Sequence, residues 1–245
     1  MFKNLLTISL LSLVSFTLIK DEPLKVYLIG DSTMAIKQVN TYPETGWGMP
    51  FVHFFDSTVV VDNRAQNGRS SRTFIEENRW TPVVNALNPG DYVFIQFGHN
   101  DEVPTKKSAT TEAQFKNYLI KYVKDTRSKQ GKPVLLTSVA RRKFDENGKV
   151  VGTHDVYAQI VRDVAKETKT PLIDMDLKSQ RLLQELGPDK SAFLFNHLKA
   201  GEHPNYPQGK IDDTHFNELG ARLMAQLVLA EIRNLNLDLQ MRIKK

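Results

Sequence analysis

A chain of 245 residues, 40% of them hydrophobic, can bury one substantial core and points to a single domain. It contains no cysteine, which excludes disulfides, thiolate metal sites, a cysteine nucleophile and lipidation at cysteine. The formal charge of +5 is mild and its basic residues are dispersed, so no nucleic-acid-binding face is expected.

Residues 1–20 read as an export signal: Lys3 gives a positive start, and residues 5–19 are apolar or hydroxylic without a carboxylate. Ser15 to Lys20 lacks a small-x-small cleavage pattern, which keeps an uncleaved anchor as the alternative. The apolar run is shorter than the ~20 residues a spanning helix needs. The expectation is a monomeric protein of the periplasm or exterior, without stable membrane insertion, whose domain occupies residues 21–245.

Five apolar runs, residues 24–29, 59–61, 92–97, 134–139 and 172–175, have the look of buried parallel strands. Amphipathic stretches alternate with them. Residues 112–129 predict a helix with Phe115, Leu119, Tyr122 and Val123 on one face, and Ala158, Val161, Val164 and Ala165 make a second stripe. A last helix over residues 216–232 is expected to face inward through Leu219, Leu223, Leu227 and Ala230. The alternation predicts one α/β domain, a doubly wound parallel sheet of about five strands between helical layers. Residues 142–154, with Asn147-Gly148, suggest a turn or small hairpin. Residues 193–213, with Gly201, Pro204, Pro207 and Gly209, suggest a long irregular loop, of a kind that is often functional.

The first strand ends at Gly30-Asp31-Ser32-Thr33, which puts a serine hydroxyl at the carboxyl edge of the sheet. A serine becomes a nucleophile only when a neighbouring base takes its proton. His215 is the candidate base, and Asp212, three residues earlier, is the group that would hold its tautomer and stabilise the imidazolium. Taken alone, that pair also fits a helix-capping aspartate beside an incidental histidine. Acyl transfer further needs donors for an oxyanion. The Ser32 N–H, the Gly68 N–H and the Asn100 side-chain amide could supply them, although a turn glycine and an Asx-turn asparagine would look the same. Asp31, His99, Asp101, Asp212 and His215 could be imagined as a metal cage, but no His-Glu-x-x-His spacing occurs. No metal or cofactor is expected.

Gly30-Asp31-Ser32, Gly68, Gly98-His99-Asn100-Asp101 and Asp212-x-x-His215 resemble, in order, the four blocks of the SGNH hydrolase superfamily. The resemblance implies a three-layer, flavodoxin-like α/β/α fold. It also implies Ser32 as nucleophile, Asp212 and His215 as its partners, and Ser32, Gly68 and Asn100 as the oxyanion hole. Gly46-Trp47-Gly48 and Asn67-Gly68-Arg69-Ser70-Ser71-Arg72-Thr73-Phe74 look like the rhamnogalacturonan acetylesterase branch, which implies removal of acetyl esters from pectic polysaccharide through an acetyl-enzyme. The alternatives are a lipase or lysophospholipase of the superfamily, a xylan-type acetylesterase and a non-catalytic carbohydrate-binding protein.

For such a substrate, Trp47 could stack on a sugar ring or simply wedge its loop. Arg69 and Arg72 could attract galacturonate or hold the Gly68 loop through salt bridges. His99 is expected to shape the loop of Asn100 and is also a candidate substrate contact. His197 and His203, which flank the irregular segment, are candidate substrate contacts by position only.

Overall fold

A computed structural model describes residues 22–244, so the expected export segment, residues 1–20, lies outside the described residues. Its centre is five strands: β1 (Leu24–Gly30), β2 (Val59–Asn63), β3 (Tyr92–Gln96), β4 (Lys132–Leu136) and β5 (Leu172–Ile173). They pair in the order β2-β1-β3-β4-β5, and every pair is parallel. The chain crosses from β1 to β2 in one direction and returns past β1 to β3, so winding reverses between β1 and β3. In sheets of this kind that reversal opens a crevice at the strands' carboxyl ends.

The helices are α1 (Gly48–Phe51), α2 (Ser71–Glu76), α3 (Trp80–Ala86), α4 (Glu112–Ser128), α5 (Asp155–Thr168), α6 (Met175–Ser191) and α7 (Glu218–Asn234). Successive side chains of a strand point to opposite faces. Val26 and Leu28 of β1 therefore join a core with α1, α6 and α7, while Tyr27 and Ile29 join a second core with α2, α3, α4 and α5. Both faces of the central strands are covered, which is why β3 is buried along its whole length and β1 from Val26 onward. The result is the expected three-layer α/β/α arrangement.

Helix α4 begins at a capping box in which Thr111 and Gln114 satisfy each other's backbone N–H groups. It buries Phe115, Leu119, Tyr122 and Val123, and α5 buries Ala158, Val161, Val164 and Ala165, as their spacing implied.

Helix α7 corrects the sequence reading. It buries Ala221, Met224, Ala225, Val228, Leu229 and Ile232, whereas Leu219 and Ala230 are exposed and Leu223 and Leu227 lie at the margin. Gly220 sets this rotation: a Cβ there would stand 2.0 Å from the Leu194 carbonyl oxygen, so this side of the helix must lie against the preceding turn. Helix α6 went unread because its apolar stripe is weak and Gly187, with φ of 71°, and Pro188 interrupt it.

The second correction concerns residues 193–213. The ends of this segment pair as an antiparallel hairpin of β6 (Phe195–Leu198) and β7 (Lys210–Phe216), while residues 199–209 between them are irregular as expected. Phe195 and Phe216 pair across it, their ring centroids 5.1 Å apart. Four glycines and prolines mask the strands because all four fall in the tip. The turn at residues 142–154 matches its expectation, closed by a bridge between Phe144 and Val150.

Candidate active site

Ser32 lies in the turn immediately after β1, at the carboxyl edge of the sheet. Its Oγ is 2.9 Å from His215 Nε2, a contact that joins residues 183 apart in sequence. His215 Nδ1 is 2.9 Å from Asp212 Oδ2. The other oxygen, Asp212 Oδ1, accepts the backbone N–H groups of Thr214 and His215 at 2.8 and 2.9 Å. A carboxylate and an imidazole three residues apart therefore meet because the carboxylate folds the strand end around itself. Burial opposes the charge on Asp212, but His215 and these two N–H groups outweigh it and hold its carboxyl far below the usual range.

The proposed oxyanion donors follow β1, β2 and β3. Among the described residues, the N–H groups of Ser32 and Gly68 donate to no other protein group. Gly68 has φ of 75° and open space where a Cβ would stand, so backbone conformation rather than crowding calls for glycine. Asn100 uses one amide hydrogen on the Arg69 carbonyl at 3.0 Å, and its Oδ1 accepts from Lys106 Nζ at 2.7 Å. Lys106 fixes which end of the amide is the donor, and the second N–H of Nδ2 remains.

Residues 28–223 match the GDSL-like lipase/acylhydrolase family. The chain belongs to that family. It is 40% identical over 221 residues to the rhamnogalacturonan acetylesterase RhgT of Bacillus subtilis, covering 89% of this chain and 94% of that one. It is 36% identical over 220 residues to the probable rhamnogalacturonan acetylesterase YesY of the same organism, covering 87% and 94%. Among solved structures, the YxiM protein of Bacillus subtilis superposes with a TM-score of 0.76 at 26% identity over 88% of this chain, which spans 58% of that one. The acetylxylan esterase Axe2 of Geobacillus stearothermophilus, in a catalytic mutant, shares the fold with a TM-score of 0.64 at 22% identity, covering 86% and 94%.

Behind the Ser32 turn of this GDSL-like hydrolase runs a buried hydrogen-bond chain. Trp47 Nε1 donates to Gln96 Oε1, Gln96 Nε2 donates to Thr33 Oγ1, and the Thr33 hydroxyl and N–H donate to Asp31 Oδ1. Trp47 is fully buried, so it wedges the loop and stacks on no sugar. Gly46 and Gly48 let that wedge close: a Cβ on either would lie within 2.6 Å of the backbone of Met34 or Ala35.

His99 is likewise buried, 3.4 Å from Asp31 Oδ2, with its ring centroid 4.3 Å from that of His154. At 3% exposure it offers almost no surface to a substrate, which counts against the expected contact. Burial and the neighbouring His154 push it down to about 4, which makes it an uncharged structural ring at neutral pH.

Arg69 and Arg72 are held in pairs rather than left free for a uronate. Arg69 binds Glu77 and the Asn67 carbonyl, and Arg72 binds Glu76 and the Lys107 and Ala109 carbonyls. His197 reaches Asp213 at 2.8 Å, and Asp213 also pairs with Arg142. His203 accepts from the Asn205 N–H and packs beside Tyr42 and Tyr206, which fastens the hairpin tip to residues 39–42. Both histidines are bound to the protein's own groups.

Sequence reading missed Lys37, Glu44, Lys106, Arg141 and Lys210. Arg141 follows β4 and reaches Glu102, the His99 carbonyl and the Thr214 hydroxyl. One donor atom each from Glu44, Asp212 and His215 lie within 4.8 Å of one another, a grouping that could hold a cation. Lys210 Nζ stands 3.3 Å from both carboxylates and supplies that charge itself.

Proposed function

We propose that this protein is an exported carbohydrate esterase that removes O-acetyl groups from plant cell-wall polysaccharide, with pectic rhamnogalacturonan as its substrate. The 2.9 Å contact between Ser32 Oγ and His215 Nε2 carries the chemical part of this reading. Two relatives named as certain or probable rhamnogalacturonan acetylesterases, each matched over most of both chains, support the substrate. Export rests on residues 1–20 and is tested by sequencing the mature N-terminus.

In this reading His215 Nε2 accepts the Ser32 proton as Oγ attacks the acetyl carbonyl carbon. Negative charge grows on the carbonyl oxygen, where the N–H groups of Ser32 and Gly68 and the Asn100 amide receive it. The carbon–oxygen bond to the sugar breaks, and His215 returns its proton to the departing hydroxyl. Water then repeats the attack on the acetyl-enzyme, with His215 again as base, releasing acetate and restoring Ser32. Asp212 keeps Nδ1 protonated and the ring aimed at Ser32 throughout.

Acetate release from acetylated rhamnogalacturonan, acetylated xylan, 4-nitrophenyl acetate and long-chain acyl esters tests both chemistry and substrate. The expected order puts acetylated rhamnogalacturonan first, and Ser32→Ala falls by about 10³-fold or more while remaining folded. Preference for xylan or long acyl chains would overturn the substrate, and wild-type turnover by Ser32→Ala would overturn the nucleophile.

A further inference from the structure

We infer that Glu44 and Lys210 are positioning residues: together with buried Lys37 they fasten the Asp212–His215 pair to the oxyanion loop and balance the charge around the imidazole. This inference rests on the esterase reading above. No established motif spacing marks the three residues; only the fold brings them together.

The contacts form one continuous path. Lys37 Nζ donates to Asn67 Oδ1 at 2.9 Å, and Asn67 directly precedes Gly68. The same ammonium is 2.7 Å from Glu44 Oε1, with the Lys37 side chain 2% and that of Glu44 10% exposed. Glu44 Oε2 is 3.3 Å from Lys210 Nζ, which is 3.3 Å from Asp212 Oδ2. Asp212 holds His215, and His215 meets Ser32. Beside this path the Thr45 N–H donates to the Phe216 carbonyl at 2.8 Å, pinning β7 to the loop that carries Glu44.

Stability alone is a poor explanation for such an arrangement. Taking charges out of water costs so much that well-packed apolar residues commonly match or exceed a buried ion pair. A misplacement of about 1 Å at a reacting group, by contrast, can cost about a hundredfold in rate. The path joins the two parts whose relative position that rate depends on, the base on β7 and the donors after β2.

Charge gives the test its sign. The charged groups around His215 are Asp212 and Lys210 on its own strand, Glu44 from the loop after β1 with Lys37 paired behind it, and Arg141 after β4 through Thr214. Glu44 favours a proton on the ring and Lys210 opposes it. Removing each charge should therefore move the acid limb of the kcat/KM profile in opposite directions.

The experiment measures acetate release from 4-nitrophenyl acetate against pH for wild type, Glu44→Gln, Lys210→Met and Lys210→Arg, with Ser32→Ala as control. Glu44→Gln should shift the limb to lower pH and Lys210→Met to higher pH, each by about one unit. In both, kcat should fall about ten- to a hundredfold with KM little changed. Lys210→Arg should keep the limb in place. Limbs that stay at the wild-type pH, or that move the same way in both variants, overturn the inference even though Ser32→Ala remains inactive. Turnover by Ser32→Ala would instead overturn the esterase reading beneath it. If Glu44→Gln does not fold, the upward shift in Lys210→Met decides alone.

Discussion

Asn100, an oxyanion donor in the proposed mechanism, is oriented by groups that the mechanism does not use. With Oδ1 taken by Lys106 and one N–H by Arg69, its amide is oriented before any substrate arrives. Asn100→Ala should lower kcat by about a hundredfold, with much less effect on KM, because the donor acts on charge that exists only during reaction. Steady-state kinetics on an acetyl ester measures both constants. Trp47 makes a contrasting case. Trp47→Phe would keep most of the buried ring but leave Gln96 Oε1 without its donor, at a cost of about 1–3 kcal/mol in urea unfolding.

Ser32, Gly68, Asn100, Asp212 and His215 were legible in the sequence because each occupies a recognisable block. Lys37, Glu44 and Lys210 were not, since nothing in their local spacing distinguishes them from surface charges. Trp47 and His99 were readable as residues but not in orientation, which depends on Gln96 and Asp31, far away in the chain.

The elements were legible wherever burial imposed a pattern. The inner strands β1, β3 and β4 are apolar because both faces are covered, whereas the edge strand β2 leaves Val60 exposed and ends in Asp62-Asn63, and α4 and α5 each bury the stripe that their spacing marks. Helix α7 was misread in rotation because it carries apolar residues around much of its circumference, so spacing alone could not choose a face. Gly220 chooses it through close approach to Leu194. Gly220→Ala should therefore destabilise the protein by about 3 kcal/mol, well beyond an ordinary helix substitution, as read by chemical denaturation. The β6–β7 hairpin was hidden by its tip, and it is the element that delivers both Asp212 and His215. Its antiparallel register and the cap that Asn217 places on α7 hold β7 at both ends.

At the scale of the whole molecule, three buried groups give opposing responses to pH. Asp31 is opposed by burial but brought down to about 2 by its contacts with His99 and Thr33, below the ~3.9 of an unfolded aspartate. Its stabilising contribution is present above that value and is lost as pH falls towards 2. His99, brought down to about 4 by burial and His154, contributes fully above the ~6.5 of an unfolded histidine and less as pH falls to 4. Asp101 is pushed up to about 7 by burial, despite hydrogen bonds from Ser71, so its contribution is present below ~3.9 and is lost as pH rises through 7. His99 and Asp101 thus offset each other between about 4 and 6.5. Wild-type stability should be nearly level across that window and drop below it. Asp101→Asn removes one side of the balance, and its stability should then rise with pH over the same window, which urea melts at a series of pH values would reveal.

The central claim is that Ser32 is the group that becomes acylated, held ready by His215 and Asp212. Labelling with diethyl 4-nitrophenyl phosphate, followed by peptide mass spectrometry, tests it most directly. The account predicts one phosphoryl group per chain, on Ser32, appearing in proportion to lost activity and slowed by acetylated substrate. Complete inactivation with Ser32 unmodified would contradict it.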